Sequence, residues 1–353
     1  MSGPVLILAG GTGGHIFPGL AVARALRERS IAVEWLGAEG AMETRLVPAA
    51  GLALHTLRVS GLRGGGLLRR VLAPLMLLRA LFGALALLHR LKPRCVLSFG
   101  GFAAGPGGLA AWLLRRPLLV HESNRAPGLT NRVLARLARR TLVGMPGTFA
   151  SEEVTGNPVR AAIAALPAPA ARLRREGPLR LLVLGGSQGA RALNLHLVEA
   201  LRASGVCCEI RHQTGAQALE STARRYAEAG LRADTVAFVD DMAEAYLWAD
   251  LVVCRAGAST LAELCAVGLP ALLVPLPSAA DDHQNHNADW LVEAGAALKI
   301  KEGEGFAARL GGALAEIACD PARALRMAEA ARALARVDAA ERVATACIEE
   351  ARA

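Results

Sequence analysis

The first residues able to do chemistry lie in GGTGGH, Gly10 to His15, between the apolar run VLILA and the helical pattern of the residues that follow. Backbone N–H groups at a helix N-terminus gather partial positive charge, and glycines without Cβ atoms let an anion come close, so a phosphate is the natural ligand. Two further glycine loops, SFGGFAAGPGG at 98–108 and LGGSQGA at 184–190, also follow apolar runs. Three such loops predict two anionic ligands, or one that spans both halves of the chain. GGTGGH lacks the GxGxxG spacing of a dinucleotide site, and no acid closes the second strand: Glu34 lies inside it and Glu39 in a glycine turn. No GxxxxGK[ST] supports ATP hydrolysis. Metal chemistry has little footing. Adjacent Asp240 and Asp241 read as a turn or helix cap, and His283 with His286 lacks a third ligand. Thr260 and Glu263 in TLAE have the spacing of a capping box.

The elements that must carry these loops alternate between short apolar runs and helical patterns, which is the signature of a parallel sheet with crossover helices. One series runs VLILAG (5–10), AVEWLG (32–37), CVLSFG (95–100), PLLVHE (117–122) and TLVG (141–144). A second runs LRLLVLGG (179–186), CEIRHQTG (208–215), TVAFVDD (235–241), DLVVCRAG (250–257) and PALLVPLP (270–277). Pro158, Pro167, Pro169 and Pro178 interrupt the stretch between them, which reads as a hinge, and Gly10–Gly11 matching Gly185–Gly186 suggests two related halves. Pro18 suits the first turn of the first helix. A polar helical tail after about 331 packs back across the halves.

At 353 residues the chain exceeds one ordinary core, and 53% hydrophobic with 4% aromatic residues means aliphatic packing. The net charge of +9, carried almost wholly by arginine, suits anionic partners. Nucleic acid is not among them, because no aromatic residues interleave a basic stripe. Seven cysteines without a CxxC pair imply a reducing compartment, and the N-terminus lacks the basic region of a signal peptide. RRVLAPLMLLRALFGALALLHRLK (69–92) approaches spanning length, but Arg79 and Pro74 interrupt it. It reads either as a buried domain helix or as a helix lying on a membrane, with Arg63, Arg69, Arg70 and Arg90 at anionic headgroups.

GGTGGHIFPGLAVA, SFGGFAAGP, HESNRAPGLTNR, VTGNPVR, LGGSQGA and CRAGASTLAELCAVGLPALLVP occur in this order. With this set nearly the whole chain resembles the MurG family, bacterial peptidoglycan-synthesis transferases that pass N-acetylglucosamine from UDP to the undecaprenyl-diphosphate-linked acceptor lipid I, forming lipid II. The resemblance implies an α/β GT-B fold of two Rossmann-like parallel-sheet domains facing a deep cleft. Residues 1–157, with a C-terminal helix at about 335–353, would bind acceptor and membrane; residues 158–334 would bind the UDP-sugar. It implies inverting attack by the 4-hydroxyl of the N-acetylmuramoyl sugar and no cofactor, since UDP-N-acetylglucosamine is a substrate and no DxD metal motif belongs to this fold. It also implies a peripheral protein on the cytoplasmic face of the plasma membrane.

Carried onto this sequence, the resemblance assigns the donor to Thr12, Gly13, Gly14, Asn124, Arg160, Gly186, Ser187, Gln188, Gly189, Val239, Ala258, Ser259, Thr260, Leu261, Ala262, Glu263, His283 and Gln284. Glu263 would receive the ribose hydroxyls, Val239 the uracil, and Arg160 the diphosphate. The acceptor falls to Gly14, His15, Gly100, Gly101, Phe102 and Asn131. Phe102 stands where the family commonly has tyrosine, which removes one hydroxyl, and Ala256 and Ser259 depart from common family choices. Two bases remain open. His15 can take a proton near neutral pH, though a helix-start histidine touching the acceptor diphosphate is an equal reading. Glu122 in HESN is the rival, and a carboxylate in that role gains from burial or a nearby like charge. His121 reads as a packed strand-end residue.

Overall fold

The computed structural model describes residues 3–59, 67–173, 177–186 and 189–352, with the side chains of 67–73 outside that description. The chain divides into two compact units, Met1–Val159 with Arg336–Ala353, and Arg160–Ala335.

The first unit runs β1 (Val5–Ala9), α1 (Gly13–Glu28), β2 (Val33–Ala38), α2 (Glu43–Ala49), β3 (Ala53–Leu57), α3 (Leu67–Leu91), β4 (Cys95–Gly100), α4 (Ala104–Leu113), β5 (Leu118–Glu122), α5 (Leu129–Leu134), β6 (Arg140–Val143) and β7 (Glu153–Val154). Its sheet is parallel in the order β3-β2-β1-β4-β5-β6-β7. β1 and β4 are buried on both faces, which is why their sequences are apolar, but for Ser98, rather than alternating. Because strand order reverses between β1 and β4, the loops after these two strands flank a crevice at their carboxyl ends, the usual ligand site of such sheets.

The second unit runs α6 (Ala161–Ala164), α7 (Pro169–Arg172), β8 (Leu179–Leu184), α8 (Arg191–Ser204), β9 (Cys208–Gln213), α9 (Leu219–Glu228), β10 (Ala233–Val236), α10 (Met242–Trp248), β11 (Leu251–Cys254), α11 (Ala258–Val267), β12 (Ala271–Leu273), α12 (His283–Glu293), β13 (Ala297–Lys299), α13 (Phe306–Cys319) and α14 (Pro321–Ala333). Its parallel sheet is ordered β10-β9-β8-β11-β12-β13, with the reversal between β8 and β11.

The chain then returns as α15 (Ala339–Arg352), whose Val343, Ala344, Ala346 and Cys347 join Val22, Leu26 and Val5 in the first unit's core. The tail therefore completes the first unit. Three strands escape the sequence reading: β3, β7 and β13 lie outside both predicted series. The proline-rich stretch carries two short helices, α6 and α7, rather than hinge alone. Helix α1 also starts earlier than Pro18 suggests. The Thr12 carbonyl already accepts from the N–H groups of His15 and Ile16, so Gly13, Gly14 and His15 form the first turn and Pro18 sits within the helix.

Candidate active site

In the first unit the loops after β1 and β4 pack backbone to backbone. A Cβ on Gly101, whose φ is +98°, would lie 2.5 Å from the Gly10 carbonyl oxygen, so only glycine permits this approach. His15 projects beside them. Its Nδ1 lies 3.1 Å from the Gly10 carbonyl oxygen and 3.5 Å from Thr12 Oγ1. A carbonyl can only accept, so Nδ1 donates, and in the neutral imidazole Nε2 then carries the lone pair. A Cβ on Gly100 would meet that Nε2 at 3.4 Å, so the absence of a side chain there keeps the lone pair open. Phe102 and Phe17 flank these loops, each more than half exposed.

The loop is held from beneath by a residue the sequence reading passes over. Glu43, the first residue of α2, is fully buried; its Oε2 accepts from Gly11 N at 3.1 Å and its Oε1 from Ala38 N at 2.8 Å. The indole of Trp35 donates to the Ala9 carbonyl at 2.8 Å and fixes the end of β1.

Glu122 has a different geometry from that of a base. It is 2% exposed, and both oxygens are committed. Oε1 accepts from Asn124 N and Nδ2 at 2.9 and 3.2 Å; Oε2 accepts from Gly128 N and Asn131 Nδ2 at 3.3 and 3.0 Å. Four donors fill the roughly four lone-pair sites of a carboxylate, which leaves none for a substrate proton. Asn131, expected at the acceptor, is likewise buried: its amide serves Glu122, the carbonyls of Phe99 and His121, and the Ser98 hydroxyl. Both residues brace the loops after β4 and β5. His121 is a packed strand-end residue, tilted on Phe99 with Nε2 donating to the Gly156 carbonyl at 3.0 Å, and burial pushes it down to about 4.

In the second unit the first turn of α11 offers the N–H groups of Ala258, Ser259 and Thr260, with Gly257 as N-cap. This overturns the capping-box reading of Thr260 and Glu263, because the helix begins before Thr260 and Glu263 turns elsewhere. The Oε1 of Glu263 accepts from Arg160 Nε and Nη2 at 3.0 and 2.7 Å, and its Oε2 accepts from the Tyr246 hydroxyl at 3.1 Å. Burial pushes Glu263 above the usual carboxylate range against the opposing pull of Arg160 and Tyr246, and burial raises Tyr246 further. Three of about four lone-pair sites are thus taken, leaving one on Oε2. Leu261 is buried, with its N–H bonded to the Gly257 carbonyl, and Ala262 is partly covered.

Around this helix end, Gln284 Oε1 accepts from Ala256 N and Leu276 N at 3.2 and 3.0 Å, tying together the loops after β11 and β12. His283 Nδ1 donates to the Ala280 carbonyl. Val239 is partly exposed in the loop after β10, and Asp241 caps α10 by accepting from Glu244 N. In the loop after β8, Gly186 and Gly189 have φ of +78° and +74°; Ser187 and Gln188 between them lie outside the described residues. Three residues outside the sequence reading brace this side. Asn194 donates to the Thr214 carbonyl, Asn287 to the Ala256 carbonyl, and Arg255 binds Glu302 and the Val274 carbonyl. Among the described residues no cluster of histidine, cysteine and carboxylate side chains could hold a metal.

Helix α3 is long and apolar enough to cross a membrane by length and composition, with mean hydropathy 1.5 over Pro74–Leu91. Ala80, Ala84, Leu87 and Leu88 form its packed face. On the opposite face Leu75, Leu78 and Phe82 are 66%, 52% and 68% exposed, beside exposed Arg79. A fully buried helix is therefore ruled out, and so is free passage through a bilayer for a helix with one face in the domain core. Arg63 and the side chains of Arg69 and Arg70 lie outside the described residues; Arg90 is exposed.

The pattern of the glycosyltransferase family 28 N-terminal domain matches residues 5–143, and that of the family's C-terminal domain matches 180–343. A UDP-N-acetylglucosamine--N-acetylmuramyl-(pentapeptide) pyrophosphoryl-undecaprenol N-acetylglucosamine transferase of Xylella fastidiosa is 58% identical over 351 residues, 98% of this chain and 96% of its own. One of that name from Xanthomonas axonopodis pv. citri is 59% identical over 99% of this chain and 82% of its own. The crystal structure of Acinetobacter baumannii MurG superposes with a TM-score of 0.88 at 38% identity, covering 98% of this chain and 99% of that one. The spinosyn forosaminyltransferase SpnP, at 15% identity and a TM-score of 0.69 over 99% of this chain and 100% of its own, shares the fold alone. With both domains of one family in order and near full-length identity to its members, the chain belongs to the MurG family within glycosyltransferase family 28.

Proposed function

We propose that this glycosyltransferase passes N-acetylglucosamine from UDP-N-acetylglucosamine to the 4-hydroxyl of the N-acetylmuramoyl sugar of lipid I, with inversion, to form lipid II. The observation that carries this reading is the near full-length likeness to transferases of that name; the geometry supplies the means. His15 is the general base: Nε2 takes the hydroxyl proton while Nδ1 keeps its own on the Gly10 carbonyl, so the imidazolium is formed already hydrogen-bonded. The acceptor diphosphate lies against the N–H group of Gly14, with Gly100 and Gly101 admitting it and Phe102 stacking on a sugar face. Glu122 and Asn131 position these loops.

UDP leaves toward the α11 N-terminus at Ala258, Ser259 and Thr260. Such a helix end contributes about 0.3–1 kcal/mol, or up to about 2 kcal/mol when partly buried. The diphosphate also meets Gly186, Ser187, Gln188 and Gly189. Holding donor and acceptor in line supplies more, about 7–11 kcal/mol. With three lone-pair sites already taken, Glu263 receives one ribose hydroxyl rather than both, and the charge Arg160 offers the diphosphate is partly balanced by Glu263. Val239 meets uracil through its backbone; Gln284 and His283 meet the transferred sugar. The outward face of α3 rests on the anionic cytoplasmic surface of the plasma membrane, where a lipid-linked acceptor resides. Incubation with radiolabelled UDP-N-acetylglucosamine and a short-chain lipid I analogue tests the reading: label moves into a β-1,4-linked disaccharide lipid. Release of free sugar alone, or no transfer, refutes it.

A further inference from the structure

We infer that Glu43 is a positioning residue that sets the tautomer of His15 through a single peptide group. The inference rests on the reading of His15 as the base. The Gly10 carbonyl that accepts from His15 Nδ1 at 3.1 Å and the Gly11 N–H that donates to Glu43 Oε2 at 3.1 Å are the two ends of one amide, the peptide bond joining Gly10 to Gly11. The carboxylate and the imidazole are therefore in series, with one peptide unit between them.

A carboxylate on the N–H side draws electron density toward the carbonyl oxygen, and such chains strengthen each bond by about 10–30%. The Gly10 oxygen becomes a better acceptor, which favours the Nδ1–H form over the Nε2–H form that predominates in free histidine. It also stabilises the positive charge that develops as Nε2 takes the hydroxyl proton. No proton moves to Glu43, and Nδ1 keeps its own. This is the task of the aspartate in a Ser-His-Asp triad, performed at one remove.

The surroundings fit a built device. Glu43 is fully buried, and a carboxylate without a partner there would be costly; its two oxygens meet two N–H groups, Gly11 and Ala38. A side chain on Gly10 or Gly37 would collide with it, so both strand ends leave room for this carboxylate. A glutamine could accept one of these N–H groups but would turn its own amide hydrogens on the other.

The test reads the tautomer directly. In 15N spectra of ligand-free enzyme, with His15 assigned by its loss in His15→Asn, the wild type shows a protonated Nδ1 and an unprotonated Nε2. In Glu43→Gln the population shifts toward Nε2–H, and kcat falls about tenfold or more, a fraction of the roughly 10²–10⁴ that a positioned base contributes. The KM for UDP-N-acetylglucosamine changes less than twofold. A wild type in the Nε2–H form, or a folded Glu43→Gln enzyme with an unchanged tautomer ratio, overturns the inference; loss of thermal stability alone is what a merely structural glutamate would show. Should Glu43→Gln not fold, the Gly11 amide of the wild type carries the test. Its proton resonance moves as His15 is protonated, and the movement is absent in His15→Asn. A Gly11 resonance indifferent to His15 overturns the relay. If His15→Ala turns over normally, the base assignment fails, whereas the tautomer experiment still reports on the relay itself.

Discussion

The outward face of α3 gives a prediction whose size follows from exposure. Leu75, Leu78 and Phe82 stand at i, i+3 and i+7 on one stripe, opposite the stripe of Ala80, Ala84, Leu87 and Leu88 that packs on the domain. Full burial of a leucine or phenylalanine side chain contributes about 1.5–3 kcal/mol. With 52–68% of each still exposed, about 1–1.5 kcal/mol per residue is left to be gained at a lipid surface, or about 3–4 kcal/mol for the three. Replacing all three by serine should lower partitioning onto anionic vesicles by roughly 10²–10³-fold in a sedimentation assay. Because these side chains are exposed in the folded protein, thermal stability and UDP binding should hold. Arginine contacts add about 1 kcal/mol each near the surface and weaken with salt, so the residual binding of the variant should be the more salt-sensitive. Equal partitioning of variant and wild type would show that the exposed stripe serves something other than a membrane.

Three further outcomes follow. Glu263→Gln removes a charge-assisted acceptor from the ribose, worth about 1.5–3 kcal/mol, so steady-state kinetics should show the KM for the donor raised about 10- to 100-fold; an unchanged KM would remove Glu263 from the donor site. Loss of the Arg160 side chain leaves the 14%-exposed carboxylate of Glu263 with only the Tyr246 hydroxyl, so urea unfolding should show a cost above the about 0–1 kcal/mol of an exposed pair; a cost inside that range would contradict it. Burial lowers His121 and His212 from an ordinary 6.5 to about 4, one in each unit. Between those values the unfolded chain binds more protons, so the stability each contributes is complete above about pH 6.5 and is lost as pH falls toward about 4. At about 1.36 kcal/mol per pH unit the loss approaches ~3 kcal/mol in each unit. Urea midpoints measured across that range check it, and a flat profile would contradict it.

What the sequence made legible follows from distance along the chain. β1, β4 and β5 announce themselves because a strand covered on both faces is mainly apolar, and each ends where a glycine or polar loop begins. β3 and β13 lie at sheet edges and β7 has two residues, so short segments with polar positions carry too little pattern to register. The start of α1 was hidden because glycine is a poor helix former and Pro18 resembles a first-turn proline; the Thr12 carbonyl decides otherwise. Glu263 illustrates the harder case. Its spacing from Thr260 is local and visible, but Arg160 lies 103 residues away and Tyr246 lies 17 away, and those contacts determine where the carboxylate points. Glu43 likewise reads as an ordinary acid near a helix start until Gly10, Gly11 and Ala38 are folded around it.

In the proposed reaction His15 Nε2 takes the proton from the attacking hydroxyl. Its most direct test is the turnover of His15→Ala with UDP-N-acetylglucosamine and a lipid I analogue, alongside UDP binding by calorimetry. Loss of kcat by about 10²–10⁴-fold with UDP affinity intact is the predicted result. Turnover at the wild-type rate would contradict it.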